Sequence, residues 1–228
     1  MTQKQVIRDL LDLLQPKLNS FDFKADLKEQ GFIRKEKQVT YYFDFNIYNR
    51  TVIQTKEKGF LIEPNAKISI GPIEKYYKEI TVNNYLTSEW DFITLGNFIA
   101  NLIANPDGIN RKKNESLELL IFSEVDIESI GTALYNTFVN VAMPYYLENN
   151  TIERVDILLN SHPKEDSVHA INDLFRYIKG LIAAKLNNNP QRPQLLEIYN
   201  SQLVEWNMPE DCFQEMERFK KLSPTISI

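Results

Sequence analysis

Apolar and polar residues alternate between Phe32 and Gly71, and this pattern limits the fold more than any other stretch of the chain. From Val39 to Ile47 the odd positions are Val39, Tyr41, Phe43, Phe45 and Ile47; the even positions are Thr40, Tyr42, Asp44 and Asn46, with Tyr48 next. A repeat of two sends successive side chains to opposite sides of an extended backbone, which predicts a strand with one buried face. The pattern returns at Phe60, Ile62, Ala66, Ile68 and Ile70, opposed by Glu63, Asn65, Lys67 and Ser69. Residues 51–56 read as a shorter strand between the two, with turns at Asn49-Arg50 and Lys58-Gly59. The expectation is an antiparallel β-meander.

Helical periods surround it. Val6, Leu10, Leu14 and Leu18 recur every four residues and predict a first helix from about Thr2, with Pro16 kinking it or marking its last turn. Residues 21–30 read as a short second helix stopped by Gly31. Between Pro72 and Tyr85 the pattern fits either a helix, through Ile73, Tyr76, Tyr77 and Ile80, or a strand over 77–82. Ser88 with Asp91 predicts the start of a helix carrying Phe92, Leu95, Ile99, Leu102 and Ile103, ended by Asn105-Pro106-Asp107-Gly108. Residues 116–122 are short and apolar enough for a strand.

From Ser123 onward the period is helical. Ser123 and Asp126 cap a helix whose buried stripe runs from Ile127 to Tyr145 and which Pro144 should bend. Further helices are expected around Ile152–Leu159, from Asp166 to Leu186, and over 193–206 and 209–222, the long one broken by Asn187 to Pro190. The fold class is therefore α+β. A sheet-bearing portion spans residues 1–109 and a mainly helical portion residues 110–228, as two packed units or around one shared core.

Composition narrows the function classes. With 228 residues, 43% of them hydrophobic and 11% aromatic, the chain can bury a sizeable core. Its net charge of -5 is mixed in sign along the sequence, so there is no electrostatic footprint for a phosphate backbone and nucleic-acid binding is not expected. Cys212 is the single cysteine, too few for a disulfide or a structural zinc site, and it suits a reducing cytoplasm. Seven glycines form no phosphate cradle, and no cofactor is implied. The leucine-rich Val6 to Leu18 is interrupted by Arg8, Asp9, Asp12 and Lys17, and no run approaches the roughly 20 apolar residues of a membrane span. No membrane partner is expected.

Two short motifs carry a resemblance. Leu27-Lys28-Glu29-Gln30-Gly31-Phe32-Ile33-Arg34-Lys35, followed by an aromatic strand and Val52-Ile53-Gln54, resembles the opening of an uncharacterised bacterial family in the domain-of-unknown-function series, number four-three-zero-four. Ala142-Met143-Pro144-Tyr145-Tyr146 is similar to a second feature of that family. The resemblance implies a sheet-and-helix fold and carries over no activity and no catalytic residue.

Three places hold residues that could do chemistry. His162, Asp166 and His169 have the composition of a metal or general-base site, yet Asp166 suits the cap of the following helix with His169 one turn inside it, so no metal is expected. Cys212, between Asp211 and Phe213, reads as a small buried hydrophobe. The richest surface is the polar side of the strands. If Phe43, Phe45, Ile62 and Ile68 face the helices, then Tyr42, Asp44, Asn46, Tyr48, Glu63 and Lys67 share the other side. Tyrosines there offer contact area at low entropic cost, which points to a soluble, non-enzymatic binding protein whose partner is another protein. The alternative is a small hydrolase in which Asp44 and Glu63 divide acid and base work.

Overall fold

The structure is a computed structural model and describes residues 1–52, 56–84, 86–112, 115–170 and 173–227. It is α+β, with an N-terminal antiparallel sheet followed by a helical C-terminal part. Strands β1 (Lys24–Asp26), β2 (Gly31–Glu36), β3 (Val39–Thr51), β4 (Lys58–Ile70) and β5 (Leu95–Phe98) lie side by side in that order. A short β6 (Leu119–Ile121) pairs further along the outer edge of β4. All pairings are antiparallel.

β3 and β4 form one long hairpin, in register from Val39 opposite Ile70 to Thr51 opposite Lys58. Asn49, Arg50, Lys58 and Gly59 are therefore strand residues and not turns. The chain reverses later, where Val52 N–H donates to Glu57 O and Lys56 N–H to Val52 O. The expected middle strand falls largely on residues 53–55, outside the described residues. The phase of the two strands is as the alternation requires: Phe43, Phe45, Ile62 and Ile68 are all buried.

Helix α1 (Gln3–Leu18) runs through Pro16 and buries Val6, Leu10, Leu14 and Leu18. Helix α2 (Gly71–Ile80) resolves the ambiguous stretch as helix, with Pro72 in its first turn, where a missing N–H costs nothing. The predicted helix over 21–30 is absent. Asp22 turns the chain at a φ of 62° and residues 24–26 pair with β2. The predicted helix from Ser88 is divided into three: a 3₁₀ turn (Glu89–Asp91), β5, and α3 (Ile99–Ala104). Its capping box does form, but the chain behind it pairs with the free edge of β4. Unpaired strand N–H and C=O groups outweigh a local helical period.

Helix α4 (Asp126–Thr137) passes through a π-helical segment (Phe138–Ala142) into α5 (Met143–Glu148). Pro144 is the reason for the widened turn, since proline in a regular helix removes a hydrogen bond and clashes with the preceding turn. This helix covers the apolar face of the sheet, with Phe138 edge-on to Phe43 and Phe23, and Tyr146 against Tyr41.

Helices α6 (Ile152–Asn160), α7 (Asp173–Leu186), α8 (Arg192–Glu205) and α9 (Glu210–Leu222) complete the fold. Helix α7 is central: Arg176 to Ala184 are all buried, on every side of the helix. Its two fully buried cations, Arg176 and Lys179, both find partners inside the protein, Arg176 donating to Leu159 O and His162 O. Lys179 Nζ lies 3.0 Å from Glu74 and donates to Ile93 O at 2.6 Å. The asparagine run after α7 is also used, because Asn187 and Asn189 donate with Asn160 to the buried carboxylate of Asp156. The hydrophobic core is continuous from Leu10 through Phe43 and Ile62 to Ile182, Leu203 and Phe219, so residues on both sides of position 109 share it. Among the described residues no helix is long and apolar enough to cross a membrane.

Candidate functional site

The sheet's second face is the polar one, and strand register sets its layout. One row across the strands reads Gly31, Asp44, Asn65, Phe98; the next reads Ile33, Tyr42, Lys67, Gly96. Towards the hairpin end Asn46 lies opposite Glu63, and Tyr48 opposite Leu61. The six residues singled out from the sequence do share a side, but they occupy two environments.

Tyr42, Asp44 and Lys67 form a closed inner half. Lys67 Nζ contacts both carboxylate oxygens of Asp44, at 2.9 and 2.8 Å, and Asn65 Nδ2 donates to the same carboxylate at 2.8 Å. Asp44 is only 4% exposed. Burial pushes its carboxyl pKa up, while Lys67 and Asn65 pull in the opposite direction. Tyr42 is fully buried, its ring 4.4 Å from that of Trp90 and its hydroxyl donating to Glu89 O. Burial also raises the pKa of the Tyr42 phenol. The 3₁₀ turn of Glu89–Asp91 thus roofs this half, fastened by its capping box and by Lys35 on β2, which pairs with Glu89. The expectation of a wet surface at Tyr42 and Asp44 is therefore corrected.

Glycines make the close packing possible. A Cβ on Gly31 would lie 2.6 Å from the Cβ of Asp44. A Cβ on Gly96 would lie 2.8 Å from Lys67, and Gly96 has a φ of +155°. The outer half is open. Tyr48 is 43% exposed, with its hydroxyl held by Asn46 Nδ2 at 3.0 Å, and Asn46 and Glu63 are half-buried beside it. Sequence reasoning missed Asn65 as a partner of Asp44, although it stood in the same alternating row. It had no signal for Trp90, which arrives from another segment.

The histidines are placed differently from expectation. Residues 166–170 are not a helix start. Ile109 bridges to Ser167, Val168 N–H donates to Gly108 O, Asn110 N–H to Asp166 O, and Gly96 N–H to His169 O. This extended segment brings His162, Asp166 and His169 to one cavity of about 130 Å³, with Asp107, Ser161 and Arg176. His169 stacks on Tyr145, and burial, with Arg154 nearby, lowers its pKa to about 4, so the ring is neutral at physiological pH. Among the described residues no group of His, Cys, Asp and Glu is arranged to hold a metal. Cys212 is buried, and burial pushes its thiol pKa up, the environment of a packing residue and not of a nucleophile.

No protein-family model, curated protein or solved structure matches the chain.

Proposed function

We propose that this is a non-enzymatic binding protein that engages another protein through the open, hairpin end of its polar sheet face. The observation that carries this reading is the division of that face. Asp44, the carboxylate a hydrolase would need as a free acid or base, is buried with both oxygens against Lys67. A carboxylate so held is a structural ion pair, and hydrolysis through it would require Lys67 to leave. Beyond the roof, Tyr48 presents an exposed ring braced by Asn46, next to Glu63 and half-buried Leu61. A pre-oriented tyrosine with polar neighbours is the kind of group that anchors protein interfaces. The buried, protonated Cys212 and the mixed surface charge accord with a cytoplasmic protein whose partner is not a nucleic acid.

Site-specific crosslinking tests the reading. A photoreactive residue in place of Tyr48 should capture one protein in the native cell, and the same group in place of exposed Val125 should not. With that protein purified, the double variant Asn46→Ala/Tyr48→Ala should lose about 2 kcal/mol of affinity, roughly 30-fold, with an unchanged fold. Capture only from position 125, or unchanged affinity of the double variant, would place the contact elsewhere.

A further inference from the structure

Strand β3 outruns β2 and leaves the sheet an open edge near the hairpin. The pairing of these two strands ends with Gly31 opposite Asp44, and Phe45 N–H donates to Gln30 O just beyond it. From there β3 continues to Thr51 with β4 on its inner side. In an antiparallel strand the N–H and C=O of one residue point the same way, and those of the next residue point the other way. Phe45 points away from β4, so Ile47, Asn49 and Thr51 do too. Helix α1 guards the neighbouring groups: Gln15 Oε1 accepts from Ala25 N–H on β1 at 2.6 Å, and Gln3 Nε2 donates to Ile47 O at 3.1 Å. Past that point no hydrogen bond among the described residues reaches the outward groups of Asn49 or Thr51, and residues 48–51 are all exposed. A row of unpaired strand groups is a template for another strand.

The residues around Asn49 complement a copy of themselves. A two-fold axis at Asn49 sets Asn49 opposite Asn49, Ile47 opposite Thr51 and Tyr48 opposite Arg50. In the first two pairs the outward N–H and C=O groups face each other and can exchange bonds. Tyr48 and Arg50 fall at the position between, where opposed Cα atoms are about 4.5 Å apart and side chains meet. Both side chains lie on the polar face, because they are two residues apart on one strand. Each copy therefore sets an arginine against the other's exposed tyrosine ring, a cation–π pair made twice. Among the described residues no carboxylate pairs with Arg50. On the other side of the strand Ile47 meets Thr51, both β-branched, and the exposed Gln3 side chain has only to release Ile47 O.

We propose that two copies of the chain pair edge to edge through β3, antiparallel about Asn49, so that the two sheets become one. This names the partner of the polar sheet face as a second copy of the chain, and it rests on the reading that Tyr48 anchors a protein contact. A contact of one short strand edge from each copy falls below the roughly 1,200 Å² of a stable complex. The dimer therefore forms and dissociates with concentration.

Sedimentation equilibrium of the full chain should show a mass that rises from one chain towards two with concentration. Arg50→Glu should weaken the association roughly tenfold, since each lost cation–π pair counts twice in the dimer. Asn49→Pro should weaken it as well and leave circular dichroism unchanged, because the N–H it removes points away from β4. Asn49→Cys tests the register. Opposed Cα atoms of a hydrogen-bonded pair are about 5.5 Å apart, within the span of a disulfide, so mild oxidation should link two chains. Val125→Cys, which is more exposed, should not link at the same concentration, and the native Cys212 is buried. A single-chain mass at millimolar concentration, association unchanged in both Arg50→Glu and Asn49→Pro, or equal linking through position 125 would each overturn the pairing. A photoreactive residue at position 48 separates this proposal from the reading beneath it. A crosslinked dimer of the chain supports both, capture of a different protein without the dimer overturns the self-pairing alone, and capture of nothing overturns both.

Discussion

Replacing Lys67 with methionine keeps the length of the side chain and removes only the charge that Asp44 faces. Asp44 would then be a carboxylate at 4% exposure with a single remaining side-chain donor, Asn65. Breaking a buried pair by removing one partner costs about 3 to 5 kcal/mol. The lower end applies here, because the Lys67 side chain retains 18% exposure and water can reach that end of the pair. For a chain of this length about 3 kcal/mol lowers the melting temperature by roughly 6 to 12 °C. Asp44→Asn should cost less, about 1 to 2 kcal/mol, since the orphaned ammonium can turn towards solvent and the amide keeps a hydrogen bond. The pH dependence has a definite sign. The folded-state pKa of Asp44 is raised, so its contribution to stability is greatest below the unfolded carboxyl's pKa and is lost as pH rises through the folded value. Lys67 opposes that rise, so without it the loss is larger. The deficit of Lys67→Met, measured by urea unfolding, should therefore be greatest near neutrality and shrink as the solution is acidified. If Lys67→Met were as stable as the parent, or if its deficit were the same at every pH, the pair would not be the buried, coupled unit described above.

Two further outcomes follow from burial and charge. Phe45→Ala and Tyr42→Ala should each cost about 3 to 5 kcal/mol in chemical denaturation, because both rings are fully buried, whereas Tyr48→Ala should stay within about 0.5 kcal/mol. A destabilised Tyr48→Ala beside a stable Tyr42→Ala would mean that the Trp90 roof is misplaced. His169 should titrate near pH 4 in a proton NMR titration, against a usual 6.5. Its folded pKa is depressed, so its contribution is present above the unfolded value and lost as pH falls from about 6.5 towards 4. His169→Phe should flatten that part of the stability curve, and an ordinary pKa for His169 would contradict its burial.

The sequence alone determined which residues of β3 and β4 face the core. A strand reverses sides at every residue, so Phe43, Phe45, Ile62 and Ile68 had to lie together, with Tyr42, Asp44 and Lys67 opposite. It also located α8, with Pro193 in its first turn, and α9, just after Pro209, because a proline at a helix start acts within a few residues. What the alternation could not decide was whether the second face is wet. That depends on Trp90, brought over Tyr42 from 48 residues further along the chain by a turn whose capping box was legible but whose continuation was not. Three helical readings failed for a common reason. Residues 24–26, 95–98 and 166–170 each hydrogen-bond to another strand or loop, and a free strand edge is visible only once the sheet is assembled. The same long-range pairing turned a supposed helix start at Asp166 into the wall of a cavity. Local periodicity fixes the side a residue faces; tertiary hydrogen bonding fixes what it faces, because backbone groups left unpaired by one segment are satisfied by whichever other segment the fold brings near.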